Sequence, residues 1–213
     1  MNNILFKPLK LNSGVELRNR FFKSAMSETL ADKNMNPGYE IHNLYSQWSC
    51  EKIGVLISGN VMVDRRYLGE PGNIVLDDKS DMNAFRKWAE VGNSKNTPIW
   101  LQLNHPGKQM YKTIKAQPVA PSAIPIQGGN AKAFKVPRAM TKYEVEDAIN
   151  KFVAAGLKAK EAGFTGIQLH AAHGYLINQF LSPADNHRKD EFGGSLENRM
   201  RFLVEIYKRL RNK

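Results

Sequence analysis

Phe164-Thr165-Gly166-Ile167-Gln168-Leu169-His170, continued by Ala171-Ala172-His173-Gly174-Tyr175, is the stretch on which the reading of this chain turns. A largely apolar run of strand length stops at a histidine, and two imidazoles and a phenol then crowd into residues 170–175. Just upstream, Thr141-x-x-Glu144 has the spacing of a helix-opening capping box. Val145, Ala148, Ile149 and Phe152 follow at helical intervals, and Gly163 closes that helix. A helix that hands over through glycine to an apolar strand ending in polar residues is one turn of a repeating βα plan.

The plan extends back along the chain and gives four βα units of the parallel type. The first strand is read at Asn19 to Met26; its helix opens at Asn36-Pro37, an N-cap residue with proline at the first helical position. Ile41, Leu44, Tyr45 and Trp48 then fall on one face. The second strand, Ile53 to Gly59, leads through a long loop to a helix starting near Asp81, with Phe85, Trp88 and Ala89 inward. The third strand is Pro98 to Leu103. After it comes a proline-rich stretch, Asn104 to Ala139, containing Gly128-Gly129; a connection of that length is expected to carry function or small local structure. A last amphipathic helix, Ser195 to Arg211, presents Phe202, Leu203, Ile206 and Leu210.

With 213 residues, 42% of them hydrophobic, the chain can bury one sizeable core, and a single domain is expected over 1–213. It has no apolar run long enough to span a membrane, and its start, MNNILFKPLK, lacks a secretory apolar core, so a cytoplasmic protein without membrane contact is expected. The lone Cys50 excludes an intrachain disulfide and a multi-cysteine metal site, and its helical surroundings near Trp48 suggest packing. The net charge of +11 would suit an anionic partner, yet the basic residues are scattered. The one dense group, Lys208, Arg209, Arg211 and Lys213, suits a solvated helix end, so no nucleic-acid binding is expected.

Parallel βα units build either a doubly wound open sheet or a (βα)8 barrel. Neither a G-x-G-x-x-G after the first strand nor a P-loop occurs, which argues against the dinucleotide and mononucleotide versions of the open sheet. In both architectures chemistry gathers beyond the C-terminal strand ends. Those ends read Lys23-Ser24-Ala25-Met26-Ser27, Ser58-Gly59-Asn60, Gln102-Leu103-Asn104-His105 and His170 to Tyr175. Three readings of His170-x-x-His173 stand together: a pair of metal ligands, weakened by the lack of a third; a structural pair bonded to nearby backbone; or two N–H donors converging on a substrate oxygen that gains negative charge. In the last reading Tyr175 is the general acid, since a phenol stays protonated at neutral pH.

The segment HAAHGYLINQFLSPADNHRKDEFGGSLENRMRF resembles the signature of the Old Yellow Enzyme family of flavin-dependent ene-reductases, H-x-x-[HN]-G-Y-L-x-x-Q-F-L followed by D-E-[YF]-G-G-S-x-E-N-R. LRNRFFKSAM, SGN, QLNHPGK and APSAI add matches, so the resemblance spans nearly the whole chain. It implies a TIM (βα)8 barrel with FMN at its C-terminal face, of which this chain holds the first four βα units. It places Ser24, Ala25, Met26 and Ser27 along the flavin, with Ser27 tuning its redox behaviour. Gly59 would admit the ring closely, and Gln102 would meet its pyrimidine edge. His170 would contact both flavin and substrate, His173 would hold the substrate oxygen, and Tyr175 would donate the proton. The implied reaction uses NADPH or NADH to reduce FMN, then passes a hydride from flavin N5 to the C=C bond of an α,β-unsaturated carbonyl compound while Tyr175 protonates it.

Departures from the family pattern are also visible. Ala25 stands where many relatives have proline, and Ser27 where some have cysteine or threonine. Lys23 is an unusual strand charge, open to snorkelling or to tuning the flavin but expected to be packed, and Thr29 stands where some relatives have a substrate-contacting tyrosine. Glu197, Asn198 and Arg199 are expected to make salt bridges and caps that hold the fourth loop. A full barrel takes about 250 residues, so strands five to eight and the phosphate site are expected outside this chain. The missing C-terminal half-barrel or a second copy is the expected partner. The alternative is a truncated half-barrel that serves only in assembly.

Overall fold

The computed structural model describes residues 3–50 and 52–213. A short antiparallel hairpin, β1 (Leu9–Lys10) and β2 (Glu16–Leu17), precedes β3 (Phe22–Lys23), α1 (Tyr39–Ser49), β4 (Val55–Met62), α2 (Met82–Gly92) and β5 (Ile99–Asn104). There follow a small parallel pair, β6 (Val119–Ala120) and β7 (Arg138–Ala139), then α3 (Lys142–Ala162), β8 (Gly166–Leu169), α4 (Leu176–Leu181) and α5 (Leu196–Arg211). The main sheet has the order β3-β4-β5-β8, every pair parallel. A doubly wound sheet reverses direction at a switch point. Here each successive strand of the sheet adds on the same side, and the helices follow suit, α1 against α2, α2 against α3, α3 against α5. The architecture is a partial α/β barrel with the helices as its outer layer.

Alternation along the strands sorts the two faces of the wall. Leu56, Ile99, Leu101 and Leu103 face the helices and share the main core with Tyr45, Phe85, Trp88, Phe152 and Phe202. On the opposite face Val55, Ile57 and Trp100 meet Leu17 of the hairpin, and Ala25 packs on the same cluster. Further along that face the lining turns polar: Gln102 and Gln168 lie in register, and Gln102 Nε2 donates to Gln168 Oε1 at 2.7 Å. No helix among the described residues is long and apolar enough to cross a membrane.

The starts of α2, α3 and α5 follow their capping chemistry, whereas α1 and α4 have no side-chain cap. Asp81 caps α2 by accepting from the backbone of Asn83 and Ala84, and Thr141 and Glu144 form both halves of the capping box on α3. Gly163 ends α3 at φ 94°, a left-handed conformation that suits glycine. Asn36, expected to cap the first helix, does not: Gly38 is the N-cap of α1, and the Asn36 side chain accepts from the Asp81 backbone at 2.9 Å. A distant N–H wins the oxygen that the local pattern assigned to the helix.

The first strand is shorter than expected, Phe22–Lys23 in place of Asn19 to Met26. Asn19 turns the chain before it, accepting from Phe21 N at 3.0 Å and donating to Lys52 O at 2.6 Å, and only β4 pairs with it. The second strand runs further than expected, to Met62, through a register shift between Ile57 and Asn60. Ser58 Oγ secures this bulge by accepting from Gln102 N at 2.8 Å and donating to Gly59 O at 2.8 Å. Cys50, expected to pack, is exposed at the end of α1, where the helix face has turned outward.

Lys23 is packed. Its Nζ lies 3.2 Å from Glu28 Oε1 and donates to Ile57 O at 3.1 Å, and it sits 4.2 Å from the centre of the Trp48 ring. Tyr45 donates to Glu28 Oε1 at 2.7 Å. The side chains are only 10% and 7% exposed, so removing one charge strands the other. Lys23→Met is expected to cost about 3 kcal/mol in urea unfolding, and Lys23→Met with Glu28→Met much less. Equal losses in the single and double variants would refute a coupled pair.

Candidate active site at the strand termini

The ladder between β5 and β8 fixes the first site residue. His170 N donates to Leu103 O at 3.0 Å, one step past Leu169, which holds the ring at the strand mouth with 8% exposure. Its Nδ1 accepts from Ala172 N at 3.4 Å, so the neutral imidazole carries its proton on Nε2. The chain then folds back through His173 at φ 57° and Gly174 at φ 74°. Left-handed backbone is uncommon for a histidine, and here neighbours hold it. Gln109 Nε2 donates to His173 O at 2.5 Å, Gly174 N to Asn178 Oδ1 at 2.8 Å, and Gln179 Nε2 to Gly174 O at 2.6 Å.

This turn brings the three expected side chains together. The His170 and His173 ring centres are 5.1 Å apart and those of His170 and Tyr175 4.8 Å, both edge-on. Burial, reinforced by the neighbouring His173, lowers the His170 pKa to about 4. Burial raises the Tyr175 phenol, with Glu70 and then Tyr111 adding to the rise, and the Asn60 side chain opposes it by hydrogen bonding. At neutral pH the pair therefore offers an uncharged imidazole N–H and a protonated phenol. Among the described residues no third His, Cys, Asp or Glu joins them in a group that could hold a metal ion.

The other expected residues lie at the neighbouring strand ends. Ser24, Met26 and Ser27 are exposed beyond β3, and Ala25 is half-buried against Leu17, Val55 and Ile57. Gly59 is buried, and a Cβ there would overlap the Met26 carbonyl and the Glu28 carboxylate, so the chain's own crossing already demands glycine. Gln102 is 7% exposed; its amide nitrogen is bound to Gln168, which leaves Oε1 as an acceptor. Thr29 is exposed at φ 54°, its carbonyl pressed on Gly72. Arg199 makes no salt bridge among the described residues; it binds the carbonyls of Leu181 and Gly194, tying α5 to the end of α4. Asn198 donates its backbone N–H to the Ser195 cap.

Two polar neighbours were not anticipated in these roles. Glu70 accepts from the Ser27 hydroxyl, whose oxygen lies 3.1 Å from Asn60 Oδ1, and Asn60 Oδ1 accepts from Asn73 Nδ2 at 3.4 Å. Asn60 follows the second strand's glycine and was visible as a strand-end residue, but nothing in the loop sequence marks Glu70.

A family model described as the NADH:flavin oxidoreductase / NADH oxidase family matches residues 4–213. The chain belongs to that family. It is 35% identical to the NADH-dependent flavin oxidoreductase iliE of Hypocrea jecorina over 96% of this chain and 55% of the relative. It is 32% identical to a probable flavin mononucleotide-dependent alkene reductase of Leishmania infantum, over 96% of this chain and 59% of the relative. The solved Old Yellow Enzyme homologue of Zymomonas mobilis superposes with a TM-score of 0.89 at 30% identity, covering 97% of this chain and 59% of that one. The family chain described here thus spans little more than half the length of the curated relatives it matches.

The imidazole environments of this family chain have a measurable consequence. Burial lowers the His105 pKa to about 4, as it does, with His173, for His170. The unfolded chain protonates these histidines first, near their ordinary 6.5, so stability is fully present above that pH and is lost as pH falls toward 4. Urea midpoints should decline through this window, and His170→Gln should flatten the decline. An NMR titration that placed the His170 midpoint at its ordinary value would contradict the burial argument.

Proposed function

We propose that this chain is the substrate-activating half of an FMN-dependent NAD(P)H oxidoreductase that reduces the C=C bond of α,β-unsaturated carbonyl compounds. The observation that carries the proposal is the convergence of His170, His173 and Tyr175 at the end of the fourth wall strand. The neighbouring termini fit a flavin ring: exposed Ser24, Met26 and Ser27, a Gln102 amide oxygen free to accept, and the Nε2–H of His170. Gly59 lies beneath that segment, and the FMN phosphate has no assigned holder among these residues. The chemistry FMN supplies when bound is two-electron transfer between NADH or NADPH and the alkene.

The protein's own contribution follows from the protonation states. His170 Nε2–H and His173 donate to the substrate carbonyl oxygen, drawing electron density from the alkene and stabilising the enolate-like charge that grows on that oxygen. Because His170 is neutral, it polarises without surrendering a proton. Tyr175 gives its phenolic proton to the α-carbon as the β-carbon is reduced, so one hydride and one proton saturate the bond. The enzyme's place in this reading is the cytosol, where the reduced nicotinamide pool lies.

Completion of the barrel is part of the proposal. β3 and β8 each have one strand neighbour, and an apolar groove of about 740 Å³ runs along the free side of β8, lined by Trp100, Ile167 and Leu210 among others. The remaining wall, from the same protein or from a second copy, would pair there and close the single domain.

The chain supplied with a complementary C-terminal half-barrel and FMN is expected to bind flavin and show its visible absorbance. Tyr175→Phe should then lower enone reduction by roughly 10²–10⁴-fold, while flavin reduction by NAD(P)H changes little. A complex that stays colourless, or a variant that reduces enones normally, would count against the enzyme and leave an assembly role.

A further inference from the structure

Glu70 is the charged side chain beside this site to which the chemistry above gives no task. It lies on the loop between β4 and α2, and that loop fixes it firmly. Glu70 N donates to Asn73 Oδ1 at 2.9 Å, and Asn73, only 3% exposed, donates onward to Asn60 Oδ1 at 3.4 Å. Its carboxylate accepts from the Ser27 hydroxyl, and Ser27 also lies 3.1 Å from Asn60. Asn60 lies in register with Gln102 of β5, at the strand ends that form the candidate site. The carboxylate is thus latched through Ser27 and Asn73 to Asn60, at the strand-end layer of the candidate site.

No cation balances it. Among the described residues Glu70 takes part in no ion pair, in contrast to Glu28, which Lys23 neutralises from the opposite side of the same segment. A half-buried negative charge with a fixed position repels like charge more strongly than a solvated one, because less water screens it. The donors facing the substrate, His170 and Tyr175, are uncharged and cannot offset it.

We propose that Glu70 is a specificity-determining residue of this site, whose fixed negative charge beside Ser27 and Asn60 favours neutral or cationic alkenes over those bearing a carboxylate. The proposal rests on the reading of the site as a carbonyl-alkene site, but its electrostatic basis can be measured without cofactor or substrate. The His170 ring packs edge-on against Tyr175, and burial, with the fields of Glu70 and Tyr111, raises its phenol while Asn60 opposes the rise.

Two arms test it. In the first, the Tyr175 phenol of the cofactor-free chain is titrated by ¹³Cζ-tyrosine NMR, its resonance assigned by loss in Tyr175→Phe. Glu70→Gln and Glu70→Ala should both move the phenol's midpoint downward, and Ser27→Ala, which frees the carboxylate but keeps its charge, should move it less. In the second, the completed flavin-loaded barrel is given an unsaturated carboxylate and its methyl ester. The ratio of their kcat/KM should rise about tenfold toward the acid in Glu70→Gln, by relief of like-charge repulsion. A phenol midpoint unchanged in both variants overturns the proposal regardless of the flavin. A shifted midpoint with an unchanged ratio rejects selection by charge. If neither ester nor acid is reduced by any form, the site reading fails, and the first arm still reports whether Glu70 acts on Tyr175.

Discussion

The parallel register between β5 and β8 is the constraint on which the site depends. Gln102 lies opposite Gln168 and Leu103 opposite Leu169, so the next residue of the second strand emerges where the first has reached its end. His170 then makes one last ladder bond to Leu103 O. A slip of one residue would send His170 to the helix side, among the leucines of the main core, because side chains alternate faces. The same alternation that buries Leu101 and Leu103 against the helices thus presents Gln102 and His170 to the other face. Fold stability and site geometry are one set of hydrogen bonds read from two sides.

How much of this was legible in the sequence follows from the range of each interaction. His170, His173 and Tyr175 could be found because they are close in the chain and follow an apolar run, so local pattern and three-dimensional cluster coincide. The capping pair Thr141 and Glu144 was legible for the same reason: the bonds close within one turn. Asn36 misled, since its side-chain oxygen had two possible N–H partners and the one 45 positions away prevailed. The shortened first strand also has a non-local origin, in the Asn19 side chain reaching Lys52 O. Glu70 could not be found at all, because its meaning lies in Ser27, 43 positions earlier, and in a loop without periodicity.

Lys23 and Glu28 show how an unusual residue can be consistent with a barrel strand. A charge at that position is costly to bury alone. It is tolerated because Glu28 returns toward it after the Ser24 to Ser27 segment, and because Trp48 and Tyr45 of α1 provide aromatic faces. The return also brings Met26 O and Glu28 over Gly59, which is why that glycine and the adjoining bulge sit where they do. The ion pair, the glycine and the bulge are three views of one crossing, and the exposed segment between them is what remains for a ligand.

The polar chain from Asn60 to Glu70 belongs to the next strand terminus and completes the layout. Each strand end contributes a different electrical character: a neutralised pair behind β3, amides at β4 and β5, neutral proton donors after β8. Among the described residues the loop beyond β4 adds a carboxylate, Glu70, that takes part in no ion pair. Hydrogen bonds from a neutral His170 and the Tyr175 phenol do little to distinguish a ketone from a carboxylate of similar shape, since both accept them. A lone fixed carboxylate supplies that distinction through its field, without contact, and its position on a loop separate from the wall lets selectivity vary while the donors and their register stay unchanged.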